Sequence, residues 1–118
     1  MLFLCYPKCS TCRKAQKWLD EHDVDYDIRD IKTDNPDLAE LELWHQASGL
    51  PLKKFFNTSG QLYQKMGLKD KLGEMDEKAQ YDLLAQDGML VKRPILLLDD
   101  GRALLGFKEG EWAAALEG

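Results

Sequence analysis

The hydrophobic pattern near the N-terminus changes rhythm twice. Leu2–Tyr6 is a short apolar run stopped by Pro7, which reads as a buried strand. Ala15, Trp18 and Leu19 then recur at i, i+3, i+4, one apolar face of a helix. Ser10 or Thr11 is placed to cap that helix. Tyr26–Ile31 alternates apolar and polar residues, as a half-exposed strand does. Strand, helix and strand within about thirty residues make a βαβ unit.

Thr33-Asp34-Asn35-Pro36 reads as a loop and helix start, and Asp37–Ala47 carries Leu38, Leu41 and Trp44 at helical spacing. Ser48-Gly49-Leu50-Pro51 ends that helix. Shorter helical pieces are predicted at Lys53–Phe56, Gln61–Met66 and Glu77–Gln86, with breaks at Gly60, Gly67 and Gly73. Ile95–Leu98 is a second strongly apolar strand, preceded by Lys92-Arg93-Pro94. Asp100-Gly101 has the chemistry of a tight hairpin pair, Ala103–Leu105 is the returning strand, and Glu109–Leu116 a closing helix. The order is β-α-β, several helices, then β-β-α. A βαβ half joined to a ββα half is the thioredoxin-like α/β arrangement, here with a helical insertion at about residues 37–90 of a single domain spanning 1–118.

Composition narrows the function. A net charge of −5 argues against a general nucleic-acid or membrane binder, which needs a basic surplus. The apolar N-terminal run is too short for a signal peptide or membrane span. The expectation is therefore a cytoplasmic protein with reduced thiols. Three cysteines make no disulfide framework. Cys5 falls inside the first strand and reads as core.

Cys9-Ser10-Thr11-Cys12 sits where the first strand becomes a helix, and this carries the candidate chemistry. The thiolate is the nucleophile, and a helix N-terminus favours it through its free N–H groups. Cys9 precedes the helix; Lys8 and Arg13 flank the motif with positive charge. Cys12 lies one turn on and can close a disulfide onto Cys9. A redox pair explains this placement best. A zinc site would need four ligands, yet there is no second C-x-x-C, and His22 and His45 lack ligand spacing. Inert packing needs no loop-to-helix position. No metal is expected.

Taken together, YPKCSTCRKAQKWL, FFNTSGQLYQKMGL and GMLVKRPILL resemble the arsenate reductase ArsC / Spx family across essentially the whole chain. The resemblance implies a thioredoxin fold with a helical insertion. In the reductase branch it implies that Cys9 attacks arsenate while Arg93 clamps the oxyanion, with glutathione and glutaredoxin, or thioredoxin, as reductant rather than a bound cofactor. Ser10, Thr11, Arg13 and Pro94 join the substrate site in this reading, and Thr11 adds a hydroxyl donor. Pro94 is implied to be cis and to face the active cysteine. This chain departs from the branch at two places. Asn57 stands about where an arginine is expected, and Gly106 or Phe107 where another is. Lys53, Lys54 and Lys108 are candidate replacements. Cys12 fits an internal disulfide better than a glutathione-only cycle. That disulfide belongs to the Spx branch, whose members bind the C-terminal domain of the RNA polymerase α subunit and regulate transcription under thiol stress. The middle of this chain lacks the arginine-containing stretch of that branch.

The remaining side chains read as structure. Trp18, Trp44 and Trp112 lie on apolar helix faces, as do Phe55, Phe56 and Tyr63 in the insertion. His22 and His45 sit among polar residues, Asp20-Glu21-Asp23-Asp25 is a solvated helix end, and Lys92 a solvated side chain.

Overall fold

Strands β1 (Leu2–Cys5), β2 (Asp27–Asp30), β3 (Ile95–Leu97) and β4 (Ala103–Leu105) form one sheet in the order β2-β1-β3-β4. The computed structural model describes residues 1–117. β1 runs parallel to β2, with Phe3 opposite Ile28, and antiparallel to β3, with Phe3 opposite Leu96. β3 and β4 form the closing hairpin. This is the expected thioredoxin-like βαβ plus ββα plan.

Both faces of the central strands are covered, which is why they read as continuous apolar runs. Phe3, Cys5 and Leu96 pack with Cys12, Ala15, Trp18, Leu19 and Trp112 on one side. That side is covered by α1 (Ser10–Glu21) and α6 (Glu109–Glu117). Leu4 and Ile95 face the other side, against Leu41, Trp44, Phe55, Phe56 and Leu84. β2 is an edge strand, and there the alternation fails as a guide to burial: Ile28 is 55% exposed, whereas Ile31, just past the strand, is fully buried.

The second layer is the insertion. It comprises α2 (Leu38–Ser48), α3 (Gln61–Lys65), α4 (Leu68–Lys71) and α5 (Glu77–Gln86), with 3-10 turns at Leu52–Phe55, Leu72–Glu74 and Gly88–Leu90. Asp37 caps α2 in a reciprocal box with Glu40. Arg29 of β2 grips the Glu40 carboxylate through two nitrogens at 2.6 and 2.9 Å. Gly88 packs against the β2–α2 connection so closely that a Cβ would lie 1.7 Å from the Ile31 carbonyl oxygen. Asn35 Nδ2 donates to the Ala85 carbonyl at 2.6 Å beside it. The insertion is thus fastened to the sheet at its start and end.

Four local expectations change. The first strand ends at Cys5, not Tyr6. Neither Ser10 nor Thr11 caps α1: Cys9 is the N-cap residue, because its N–H closes a turn onto the Tyr6 carbonyl at 2.9 Å. The hairpin uses a three-residue loop, Asp99–Gly101, closed by the Leu98 N–H to the Arg102 carbonyl at 2.9 Å. A two-residue Asp100-Gly101 turn needs positive φ at both positions, and Gly101 alone has it (φ 94°). The histidines sit on aromatic rings: His22 stacks on Trp18 at 4.0 Å, and His45 hydrogen-bonds Tyr81 and meets Phe55 edge-on.

Candidate functional site

Cys9 is half-buried at the start of α1, and Cys12 is buried one turn later at 2% exposure. All three cysteines are free thiols in this structure. Burial opposes ionisation of Cys9. The Cys12 backbone N–H, the Cys12 thiol and Arg93 outweigh it and hold Cys9 below the ordinary thiol pKa. Cys12 behaves oppositely. Burial pushes it up to about 12, although the Tyr6 N–H reaches its sulfur at 3.3 Å, and the neighbouring Cys9 adds to the rise. Cys5 also lies high, through burial and the charge of Asp30. The pair is therefore asymmetric: Cys9 gives up its proton more readily than an ordinary thiol, and Cys12 far less readily.

Arg93 supplies the cation. It precedes Pro94 across a cis peptide bond, and Pro94 leads into β3. Its guanidinium lies 5.3 Å from the centre of the Tyr6 ring. Its Nε and Nη1 are buried without a hydrogen-bond partner. A buried donor with no acceptor is costly, and an anionic acceptor here would remove that cost.

The opposite wall comes from the insertion and the β4–α6 turn. The Asn57 N–H donates to the Leu90 carbonyl at 2.7 Å, and the Lys92 N–H donates to the Phe55 carbonyl at 2.7 Å. This pairing holds the insertion beside the segment that leads to Arg93, with Phe56 bridged to Val91. The result is a cleft of about 580 Å³ that contains Cys9, Thr11, Lys54, Asn57, Lys92, Arg93, Phe107 and Lys108.

Of the residues expected from the sequence, Cys9, Thr11 and Arg93 line this cleft, and Cys12 lies behind Cys9 in the core. Pro94, next to Arg93, is buried and is not part of the lining. Ser10 is exposed and is not part of the lining. Arg13 borders a separate shallow groove with Gln16, Lys17, Asp20 and Glu21 along α1. Lys54 and Lys108 reach the cleft, whereas Lys53 does not. Lys92 also lines the cleft instead of standing free in solvent. Nothing in its local sequence distinguishes it from a surface lysine; only the pairing of Lys92 with Phe55 places it. Asn57, 9% exposed, is the buried polar residue of the cleft wall.

Among the described residues, no group of three His, Cys, Asp or Glu side chains is arranged to hold a metal ion. No helix among them is long and apolar enough to cross a membrane.

The chain matches the model of the ArsC family over residues 4–115. It is 49% identical to the uncharacterised protein YusI of Bacillus subtilis strain 168, over 95% of this chain and 94% of that protein. It is 32% identical to the global transcriptional regulator Spx of Staphylococcus epidermidis, over 89% of this chain and 78% of Spx. The crystal structure of a possible arsenate reductase from Streptococcus mutans UA159 superimposes with a TM-score of 0.85 at 46% identity, covering 95% of this chain and 96% of that one. With fold, motif placement and these matches in agreement over nearly its full length, the chain belongs to the ArsC family.

Proposed function

We propose that this protein is a cytoplasmic thiol–disulfide oxidoreductase of the arsenate-reductase type. The Cys9 thiolate attacks an oxidised, anionic substrate, and Cys12 resolves the adduct. The observation that carries this reading is the asymmetric thiol pair at the start of α1, beside Arg93, whose Nε and Nη1 are buried without acceptors.

With a disulfide substrate, Cys9 sulfur bonds to one substrate sulfur and expels the other as a thiolate. Cys12 then gives up its proton and attacks the Cys9 sulfur. The internal disulfide forms and the second substrate thiol leaves, so two electrons have passed to the substrate. With arsenate, Cys9 forms a sulfur–arsenic bond with loss of water. Attack by Cys12 on the Cys9 sulfur breaks that bond, and its electron pair converts As(V) to As(III). Arg93 stabilises the anion in each case, and Thr11 contributes a hydroxyl. Thioredoxin, or glutathione with glutaredoxin, returns the Cys9–Cys12 disulfide to the dithiol.

The test is NADPH consumption coupled to each reductant, with arsenate and with a small disulfide, on wild type, Cys9→Ser and Cys12→Ser. Turnover that survives Cys9→Ser removes the mechanism. Dependence on Cys12 shows whether the internal disulfide is on the path.

The 32% identity to a protein named Spx favours a second reading, a redox switch that binds the C-terminal domain of the RNA polymerase α subunit. It predicts complex formation that changes with the state of Cys9 and Cys12, and no turnover. Absence of a complex in both redox states removes it.

A further inference from the structure

We propose that Lys92 is a second anion-binding residue of the cleft, its ammonium admitted by the missing side chain of Gly106. The inference rests on the reading of Cys9 as the attacking thiolate, and it concerns what kind of substrate that thiolate meets.

Gly106 sits at the end of β4 in the left-handed conformation (φ 70°). A Cβ built there would lie 3.2 Å from Lys92 Cε and 4.0 Å from Lys92 Nζ. The Lys92 side chain therefore lies directly over the Gly106 backbone, in space that any other residue would fill. Both ends of the contact are anchored. The Gly106 N–H donates to the Pro94 carbonyl at 2.8 Å, and the Gly106 carbonyl accepts from Trp112 Nε1 at 3.1 Å. The Lys92 N–H is held by the Phe55 carbonyl.

The charge at this point is unanswered. Among the described residues, no carboxylate lies within ion-pair distance of Lys92 or of Arg93. Glu111, the acidic residue of the cleft wall, lies 3.9 Å from Lys108 instead. Two consecutive cations thus enter one cleft beside Cys9 without a carboxylate partner; a Cys9 thiolate answers Arg93 and leaves Lys92 unpaired. Like charges that share a cleft repel, and an anion bound there relieves the repulsion.

The arrangement also differs in kind from a set of guanidinium forks. A lysine ammonium is a compact point charge, whereas arginine presents a planar bidentate fork. The cleft therefore selects for negative charge next to the bond that Cys9 attacks, with little demand for a tetrahedral outline. A disulfide carrying a carboxylate near its sulfur meets that requirement.

The test compares two aromatic disulfides that react with Cys9 by the same exchange: dianionic dithiobis(nitrobenzoate) and neutral dithiodipyridine. Rates are measured on wild type, Lys92→Gln, Lys92→Arg and, as a control on the outer face of α1, Lys17→Gln. Lys92→Gln is expected to slow the dianionic probe about tenfold and the neutral probe less than about twofold. Lys92→Arg restores most of the loss, Lys17→Gln changes neither rate, and raising the salt concentration shrinks the effect. Equal slowing of both probes, or none, overturns the proposal. Because the ratio of the two rates is read, a partly unfolded variant does not imitate the effect. If wild-type Cys9 reacts with the neutral probe no faster than an ordinary thiol, the nucleophile reading fails, while the ratio still reports on Lys92.

Discussion

Arg93 stacks its guanidinium 5.3 Å from the centre of the Tyr6 ring. The same tyrosine presents its backbone N–H to Cys12 Sγ at 3.3 Å. One residue just past the end of β1 therefore orients both the cation that favours the Cys9 thiolate and the partner thiol. Tyr6→Leu keeps the backbone contact and removes the stacking, which contributes about 0.5–1 kcal/mol at a partly exposed site. The Cys9 alkylation midpoint should rise by less than about one pH unit. A pH profile of iodoacetamide alkylation checks this, and an unmoved midpoint would mean that Arg93 is held without the ring.

The two thiols should separate cleanly in such a profile. Cys9 lies below the ordinary thiol pKa, and Cys12 near 12. At neutral pH, mass spectrometry should find one rapidly added label, on Cys9. Arg93→Ala removes a favourable charge and shifts the Cys9 midpoint upward. Rapid labelling of Cys12 in the native protein would contradict the asymmetry.

Cys12→Ser should leave the first attack intact and stop the second. A mixed disulfide on Cys9 should then accumulate, visible as an added mass that a dithiol removes. Cys9→Ser should lower turnover by roughly 10³-fold or more, since a serine hydroxyl here has no activating base.

The Arg29–Glu40 pair makes a prediction about stability. The Arg29 hydrogen bonds outweigh burial and hold the Glu40 carboxyl below the usual carboxylate range. A carboxyl depressed in the folded state contributes stability above its unfolded pKa and loses it as pH falls through the folded value. The Glu40 side chain is 32% exposed, so solvent screens part of the gain. Glu40→Gln should cost about 1–2 kcal/mol at neutral pH by denaturant unfolding. That difference should vanish in acid below the normal carboxylate range. A penalty that persists there would point to packing instead of charge.

Two glycine substitutions should act in opposite directions. Gly88→Ala drives a methyl into the Ile31 backbone, with a Cβ 1.7 Å from the carbonyl oxygen. It should cost about 3 kcal/mol, the upper range for overpacking. Gly110, inside α6, has open space around its Cβ position. Gly110→Ala should stabilise by about 0.5–1 kcal/mol, because alanine restricts the unfolded chain. Thermal unfolding of both variants checks the pair.

The local sequence determined much of this protein. Periodicity placed the strands, the long helices and the order of the halves, because burial writes itself into the spacing of apolar residues in the central strands and the helices; at the edge strand β2 the alternation located the strand but not its buried face. The Cys9–Cys12 spacing at a strand-to-helix turn located the candidate thiol site. Short-range turn chemistry was less legible. The Asp99–Gly101 loop and the cap at Cys9 depend on which of several adjacent polar residues completes a hydrogen bond.

Only tertiary structure decided the rest of the cleft. Lys92 and Asn57 are drawn to Cys9 by backbone pairing of Phe55 with Lys92 and of Asn57 with Leu90, segments far apart along the chain. Gly106 matters because Lys92 passes over it, a contact that no spacing rule encodes. Arg93 lines the cleft with its guanidinium over the Tyr6 ring, whereas Arg13, next to the cysteine motif in sequence, belongs to another surface. Hydrophobic patterning is a property of neighbours along the chain; the electrostatics of the cleft arise from residues that become neighbours only when the insertion closes over the sheet.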